Sequence, residues 1–187
     1  MKKVSQKKVT TIRNKPSRKQ AEEAVKILIK WAGDNPEREG LLETPKRVVN
    51  SYKEFFSGYD SKPEQILSKT FDEVEGYDEM VIVRDIAIES HCEHHMVPFI
   101  GIAHIGYIPN KRIVGISKLA RIADVFAKRL QTQEIMTAQI ADTINEVLKP
   151  KGVAVVIDAQ HQCMTTRGTH KTESSTITSR MLGLFRT

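Results

Sequence analysis

Two short segments hold the residues best suited to chemistry: Cys92-Glu93-His94-His95 and His161-Gln162-Cys163. The chain has two cysteines, and both stand beside histidines. Cys92 and His95 have Cys-x2-His spacing, a short chelating loop, and Cys163 closes the set from far along the chain. Two thiolates and an imidazole make a soft-to-borderline donor set suited to Zn2+. Three protein ligands leave a fourth position open, the mark of a catalytic zinc, where water loses a proton near neutral pH. The neighbouring His94 and His161 are candidates for proton transfer. Cys-x-His also chelates, so spacing leaves open which of His94 and His95 ligates. A disulfide is the competing use of two cysteines. No signal peptide is visible, so the expectation is free thiols in a reducing, cytoplasmic setting.

These segments need elements to carry them. Met80 to Ser90, rich in Val and Ile, is expected as a strand leading to Cys92, with Phe99 to Tyr107 as its neighbour. Gly152 to Met164 is expected as one long strand. On it His161 and Cys163, two residues apart, share a face, and His161 lies beside the metal as a general acid or base. His104 is expected on a strand and His91 in a loop. Residues 21–32 pattern as a helix ended by Gly33, and Thr44 with Pro45 opens another. Ser117 is expected to cap a third helix, and a break at Gln131 to Gln133 precedes a fourth, which ends at Pro150-Lys151-Gly152. Ser175 to Phe185 is the last strand. The order is two helices, two strands, two helices, two strands. The expected class is α+β: antiparallel strands with helices packed on one face.

Charge marks further candidates. Ser117 and Lys118 open a helix with Arg121 one turn on, so free N–H groups and basic side chains suit a phosphate there. A helix with exposed basic residues explains the same pattern more plainly. Arg47 and Arg167 are further candidates for an anion. No GxxxxGK[ST] loop occurs. Gln133-Glu134 begins a helix, where an acid complements the helix dipole. The sharper reading is a carboxylate that recognises the paired N–H donors of guanine.

The net charge of +6 is not spread over the chain. Residues 1–19 carry eight basic side chains and no acid, and removing those eight charges leaves about −2 for the rest. The expectation is a solvated basic tail over 1–19 and a single domain over 20–187, with helices over 20–60 and an α+β core over 80–187. Nucleic acid is not an expected partner of the folded part. No apolar run reaches the ~18 residues that would span a membrane, so none is expected there either.

Taken together, the segments resemble the GTP cyclohydrolase I family, from about Gln20 to Phe185. The resemblance runs through Glu43-Thr44-Pro45-Lys46-Arg47, the CEHH segment, GYIPNK (Gly106 to Lys111) and GISKLARI (Gly115 to Ile122). It continues through RLQTQE (Arg129 to Glu134), HQCMTTRG (His161 to Gly168) and STITSRMLGLF (Ser175 to Phe185). It implies Cys92, His95 and Cys163 as ligands of Zn2+ and His94 and His161 as acid–base residues. Gln133 and Glu134 become the guanine-recognition pair, and Ser117, Lys118, Arg121, Arg167 and Arg47 triphosphate contacts. It implies hydrolysis of GTP to dihydroneopterin triphosphate and formate. It also implies a tunnelling-type fold whose sheets join into a barrel, and a homodecamer with active sites at subunit interfaces. Ile135 departs from the family, which usually carries Arg there. The family's helix after the last strand would follow Thr187, where the sequence ends. A nitrile reductase of the same fold would use a cysteine nucleophile and a nicotinamide, and the two-cysteine zinc set argues against it. A structural zinc module with a nucleic-acid-binding tail is the non-enzymatic alternative.

Overall fold

The computed structural model describes residues 14–68, 70–71 and 77–186. Most of the expected tail, residues 1–13, lies outside them. The described chain divides into two compact units, 14–57 and 58–186.

The first unit pairs two helices. Helix α1 spans Arg18–Trp31, and Ser17 and Gln20 cap it reciprocally, the Ser17 hydroxyl accepting from the Gln20 N–H and the Gln20 side chain accepting from the Ser17 N–H. Arg18 and Lys19, assigned from sequence to the tail, are therefore the first turn of a helix. Gly33 follows the helix at φ 97°, as a terminating glycine should. Helix α2 spans Thr44–Phe55 and packs on α1. Its N-cap is Glu43 rather than Thr44, with proline in the first turn, where a missing N–H costs nothing.

The second unit holds a five-stranded sheet and its helices. After helix α3 (Pro63–Leu67) comes strand β1 (Thr70–Phe71), followed by β2 (Val81–Cys92), β3 (Pro98–Ile108) and β4 (Ile113–Val114). Helix α4 (Ser117–Ala127), strand β5 (Leu130–Gln131), helix α5 (Gln133–Leu148), strand β6 (Gly152–His161), helix α6 (Gln162–Thr165) and strand β7 (Thr176–Gly183) complete it. The main sheet has the order β5-β2-β3-β6-β7, and β1 pairs with β4 separately.

Three sequence expectations need correction. The sheet is mixed, because β5 runs parallel to β2 through His91↔Leu130 and Cys92↔Gln131. A two-residue strand has too little pattern to be seen in sequence. The long strand expected to Met164 stops at His161, and Cys163 lies on α6. There the Thr166 hydroxyl donates to the Gln162 carbonyl and the Thr165 hydroxyl to the Gln162 side chain, local bonds that compete with a strand ladder. His91 is a buried strand residue, not a loop residue.

Alternation on the strands builds one core. Ile86, Ile88, Ala103, Ile105, Val153, Val155 and Ile157 pack with Leu119, Ile122 and Phe126 of α4 and Met136, Ile140 and Ile144 of α5. The opposite face keeps large apolar side chains in the open, among them Ile100, Ile102 and Ile177. A bulge interrupts β2 between Val83 and Ile86. Asp85 sits there at φ 57°, and its N–H donates to His104 Nδ1 at 3.3 Å. His104 is thus a strand histidine that supports the bulge.

Candidate zinc and proton-transfer site

Strand ends assemble the site. β2 delivers Cys92 to a tight turn that returns as β3. The Met96 N–H donates to the Cys92 carbonyl at 2.8 Å, and the Cys92 N–H donates to the Val97 carbonyl at 2.9 Å. Met96 takes the left-handed conformation, φ 55°, that closes the turn. β5 braces it from the other side: the Glu93 N–H donates to the Gln131 carbonyl at 2.9 Å. The far end of β6 lies beside the start of β3, where Phe99 pairs with His161. Two residues later α6 brings Cys163 to Cys92.

The donor atoms of Cys92, His95 and Cys163 lie within 4.8 Å of one another. Cys92 Sγ and His95 Nδ1 are 3.8 Å apart. Cys92 is buried, Cys163 half-buried and His95 exposed, so the site is anchored in the core and open on one side. Both cysteines are free thiols. Burial pushes the Cys163 thiol up, its neighbour Cys92 adds to that, and the Arg167 guanidinium opposes it. Two sulfurs this close repel once ionised, and a divalent cation between them removes the conflict. The donor set therefore fits zinc. The His94 and His95 rings stand nearly perpendicular, at 85°, with centroids 6.2 Å apart, and His94 is solvent-exposed.

His161 stands beside this cluster. Strand alternation turns it to the helix-covered face with Ala159 and Ile157. Its ring stacks on the wholly buried Phe99, centroids 4.6 Å apart and planes 9° from parallel. Burial lowers its pKa, and the Glu134 carboxylate opposes that shift. His161 Nε2 lies 2.8 Å from Gln133 Oε1. Phe99 was not singled out in the sequence, since its role rests on the β3–β6 register, which no local pattern encodes.

The remaining candidates occupy distinct places. Glu134 is exposed on the first turn of α5, which Thr132 caps by accepting from the Ile135 N–H. Gln133, paired with Glu134 in the sequence reading, is only 1% exposed, and its amide is engaged inside the protein. Ser117 is the first residue of α4 rather than its cap; Ile116 holds the cap position without a side-chain bond. Ser117 and Arg121 are exposed and Lys118 is half-buried. Arg167 is exposed in the loop after α6, and Arg47 is exposed on α2 of the first unit.

Comparison with known proteins agrees with the geometry. The family model described as GTP cyclohydrolase I matches residues 21–187. A protein of Maricaulis maris named GTP cyclohydrolase 1 is 60% identical over 175 residues, covering 94% of this chain and 85% of that one. One of Brucella suis with the same name is 58% identical over 183 residues, covering 98% and 86%. Among solved structures, an archaeosine synthase QueF-Like in the apo form matches 56% of this chain and 93% of its own, at 13% identity and a TM-score of 0.44. That last likeness is too slight to carry an argument.

Proposed function

The chain belongs to the GTP cyclohydrolase I family, and from that premise we propose how its residues divide the family's work. The activity is zinc-dependent hydrolysis of GTP to 7,8-dihydroneopterin triphosphate and formate, the entry to folate and pterin synthesis. The observation that carries the assignment of the site is the convergence of Cys92, His95 and Cys163 donor atoms in a chain of this family. Zinc held by those three supplies Lewis acidity and a water made reactive near neutral pH.

The chain's own residues do the rest. Glu134 accepts the N1 and N2 hydrogens of guanine and so fixes the base. Its support is an exposed carboxylate one residue beyond Gln133, close enough to His161 to act on its charge. His161 moves protons as the C8 carbon of the base is hydrolysed out as formate, and His94 is its exposed partner in that exchange. The stacked Phe99 ring keeps water from one face of His161. Ser117, Lys118, Arg121, Arg167 and Arg47 take the triphosphate; their support is charge and, at α4, the N-terminal end of an 11-residue helix. After formate leaves, the opened ribose rearranges to a ketone and closes onto the freed amino group with loss of one water.

The finer architecture is a proposal of the same kind. It comprises a tunnelling-type fold, sheets joined into a barrel, and a homodecamer with sites at subunit interfaces. Support comes from the apolar outer face of the sheet and from helix α1, which buries no residue in the single chain. A cytoplasmic location is proposed with them, and no helix of the described residues is long and apolar enough to cross a membrane. GTP incubated with the zinc-loaded protein should release one formate per pterin, read by formate assay and by the fluorescence of the oxidised product. Zinc-loaded protein that binds GTP and releases no formate would refute the reading.

A further inference from the structure

We propose that Gln133 is a positioning residue that fixes the tautomer of His161, so that Nδ1 is the ring atom that exchanges a proton with substrate. The inference rests on the reading of His161 as a proton-transfer residue, and it assigns that transfer to one atom.

Donors and acceptors around the Gln133 amide fix its orientation. The Gln133 side-chain nitrogen donates to the Ile157 carbonyl at 3.0 Å and to the Thr176 carbonyl at 2.7 Å, and lies 3.1 Å from Thr178 Oγ1. Main-chain carbonyls only accept, so two of them fix which end of the amide is nitrogen. Oε1 must then face the other way, and it lies 2.8 Å from His161 Nε2. An amide oxygen only accepts as well. Nε2 must therefore carry the hydrogen, and in the neutral ring the lone pair belongs to Nδ1.

The surroundings make this orientation stiff. Gln133 is 1% exposed and begins α5, and its own carbonyl accepts from the Thr137 hydroxyl at 2.7 Å. Thr137 in turn meets Thr178 at 2.7 Å. An amide flip would set Oε1 against two carbonyls and leave buried donors without partners, which the interior strongly disfavours. Phe99 holds the plane of the ring while Gln133 holds its rotation. The same Gln133 side chain ties α5 to the middle of β6 and the start of β7, so element packing and proton position share one residue.

The test uses zinc-loaded enzyme with 15N-labelled histidine. In wild type the His161 ring, assigned by its loss in His161→Gln, should show a protonated Nε2 and an unprotonated Nδ1. Gln133→Met keeps the length, removes the acceptor, and should give mixed tautomers. Its kcat should fall by about ten- to a hundredfold with KM within about threefold, since the loss is one of proton transfer. Gln133→Glu retains an accepting oxygen for Nε2, while its other oxygen must stay protonated to face the Ile157 and Thr176 carbonyls, so one donor replaces two. It should hold the wild-type tautomer and recover kcat relative to Gln133→Met, even if its melting temperature is lower. An Nδ1-protonated ring in wild type would overturn the proposal, and that measurement needs no variant of Gln133 to fold. So would equal kcat losses in the Met and Glu variants with the tautomer unchanged, which would mark a purely structural role. Full activity of His161→Ala would sink the proton-transfer reading instead, while leaving the tautomer assignment intact.

Discussion

At the scale of single residues, the site separates groups that hold from groups that act. In the proposed site Cys92 and Cys163 are the inner donors, and either one changed to Ser should lose zinc and GTP turnover together; chelation of the wild type should do the same, reversibly. Zinc content and formate release are the checks, and a metal-free protein of full activity would refute the assignment. Glu134 offers a sharper test, because its two readings predict different magnitudes. A carboxylate that accepts two guanine N–H bonds in a closed site contributes about 1.5–3 kcal/mol or more, roughly ten- to a hundredfold or more in affinity. A carboxylate that only complements the dipole of α5 contributes about 0.3–1 kcal/mol of stability and nothing to GTP. Glu134→Ala should therefore weaken GTP strongly and barely move the melting temperature. A lowered melting temperature with unchanged GTP affinity would leave Glu134 as a helix-end acid.

At the scale of elements, the zinc turn depends on pieces far from it in sequence. Arg129 is 9% exposed; its Nε donates to the Gly58 carbonyl at 3.0 Å, and its guanidinium lies 5.0 Å from the Phe126 ring centroid. The Gly58 N–H donates to the Lys128 carbonyl at 3.0 Å, and a Cβ on Gly58 would lie 2.1 Å from the Val125 carbonyl oxygen. Only glycine fits that approach. This lock fixes the end of α4 immediately before β5, and β5 braces Glu93 and Cys92. Gly58→Ala should thus cost about 1–3 kcal/mol, read as a lower urea midpoint at unchanged slope, and should weaken zinc retention as well. Unchanged stability would show that the approach relaxes freely. None of this was legible in the sequence. The pairs of residues that could chelate were legible, because their types and spacing are local. So were β2, β3, α4 and α5, whose patterns are long. What escaped depends on register or on very short elements. The strand β5 has two residues, and the partner of His161 is set by Phe99↔His161 pairing. The break after His161 is set by side-chain bonds within four residues.

At the scale of the whole molecule, the described chain leaves apolar surface that it does not cover. Ile102, Asp158 and Ile177 form one row across β3, β6 and β7 on the face away from α4 and α5. Ile102 is 38% exposed and Ile177 66%, and Asp158 Oδ1 is buried without a hydrogen-bond partner among the described residues. β7 is also an edge strand, whose free N–H and C=O groups can pair with another chain. Exposed isoleucines beside an open edge suit an interaction surface, and the proposed assembly of joined sheets would cover both. The prediction follows from what a charge would meet there. In an isolated chain Ile177→Lys places lysine at an open position, which should shift stability by no more than about 0.5 kcal/mol. In an assembled barrel the same lysine is taken out of water, and the assembly should break down to smaller species. Sedimentation velocity should find the wild type as a large oligomer and Ile177→Lys as a smaller one with the same far-ultraviolet circular dichroism. A wild type that sediments as a single chain at micromolar concentration would remove the barrel. An Ile177→Lys variant that assembles fully would move the interface off this row and toward the exposed Ile27, Leu28 and Trp31 of α1.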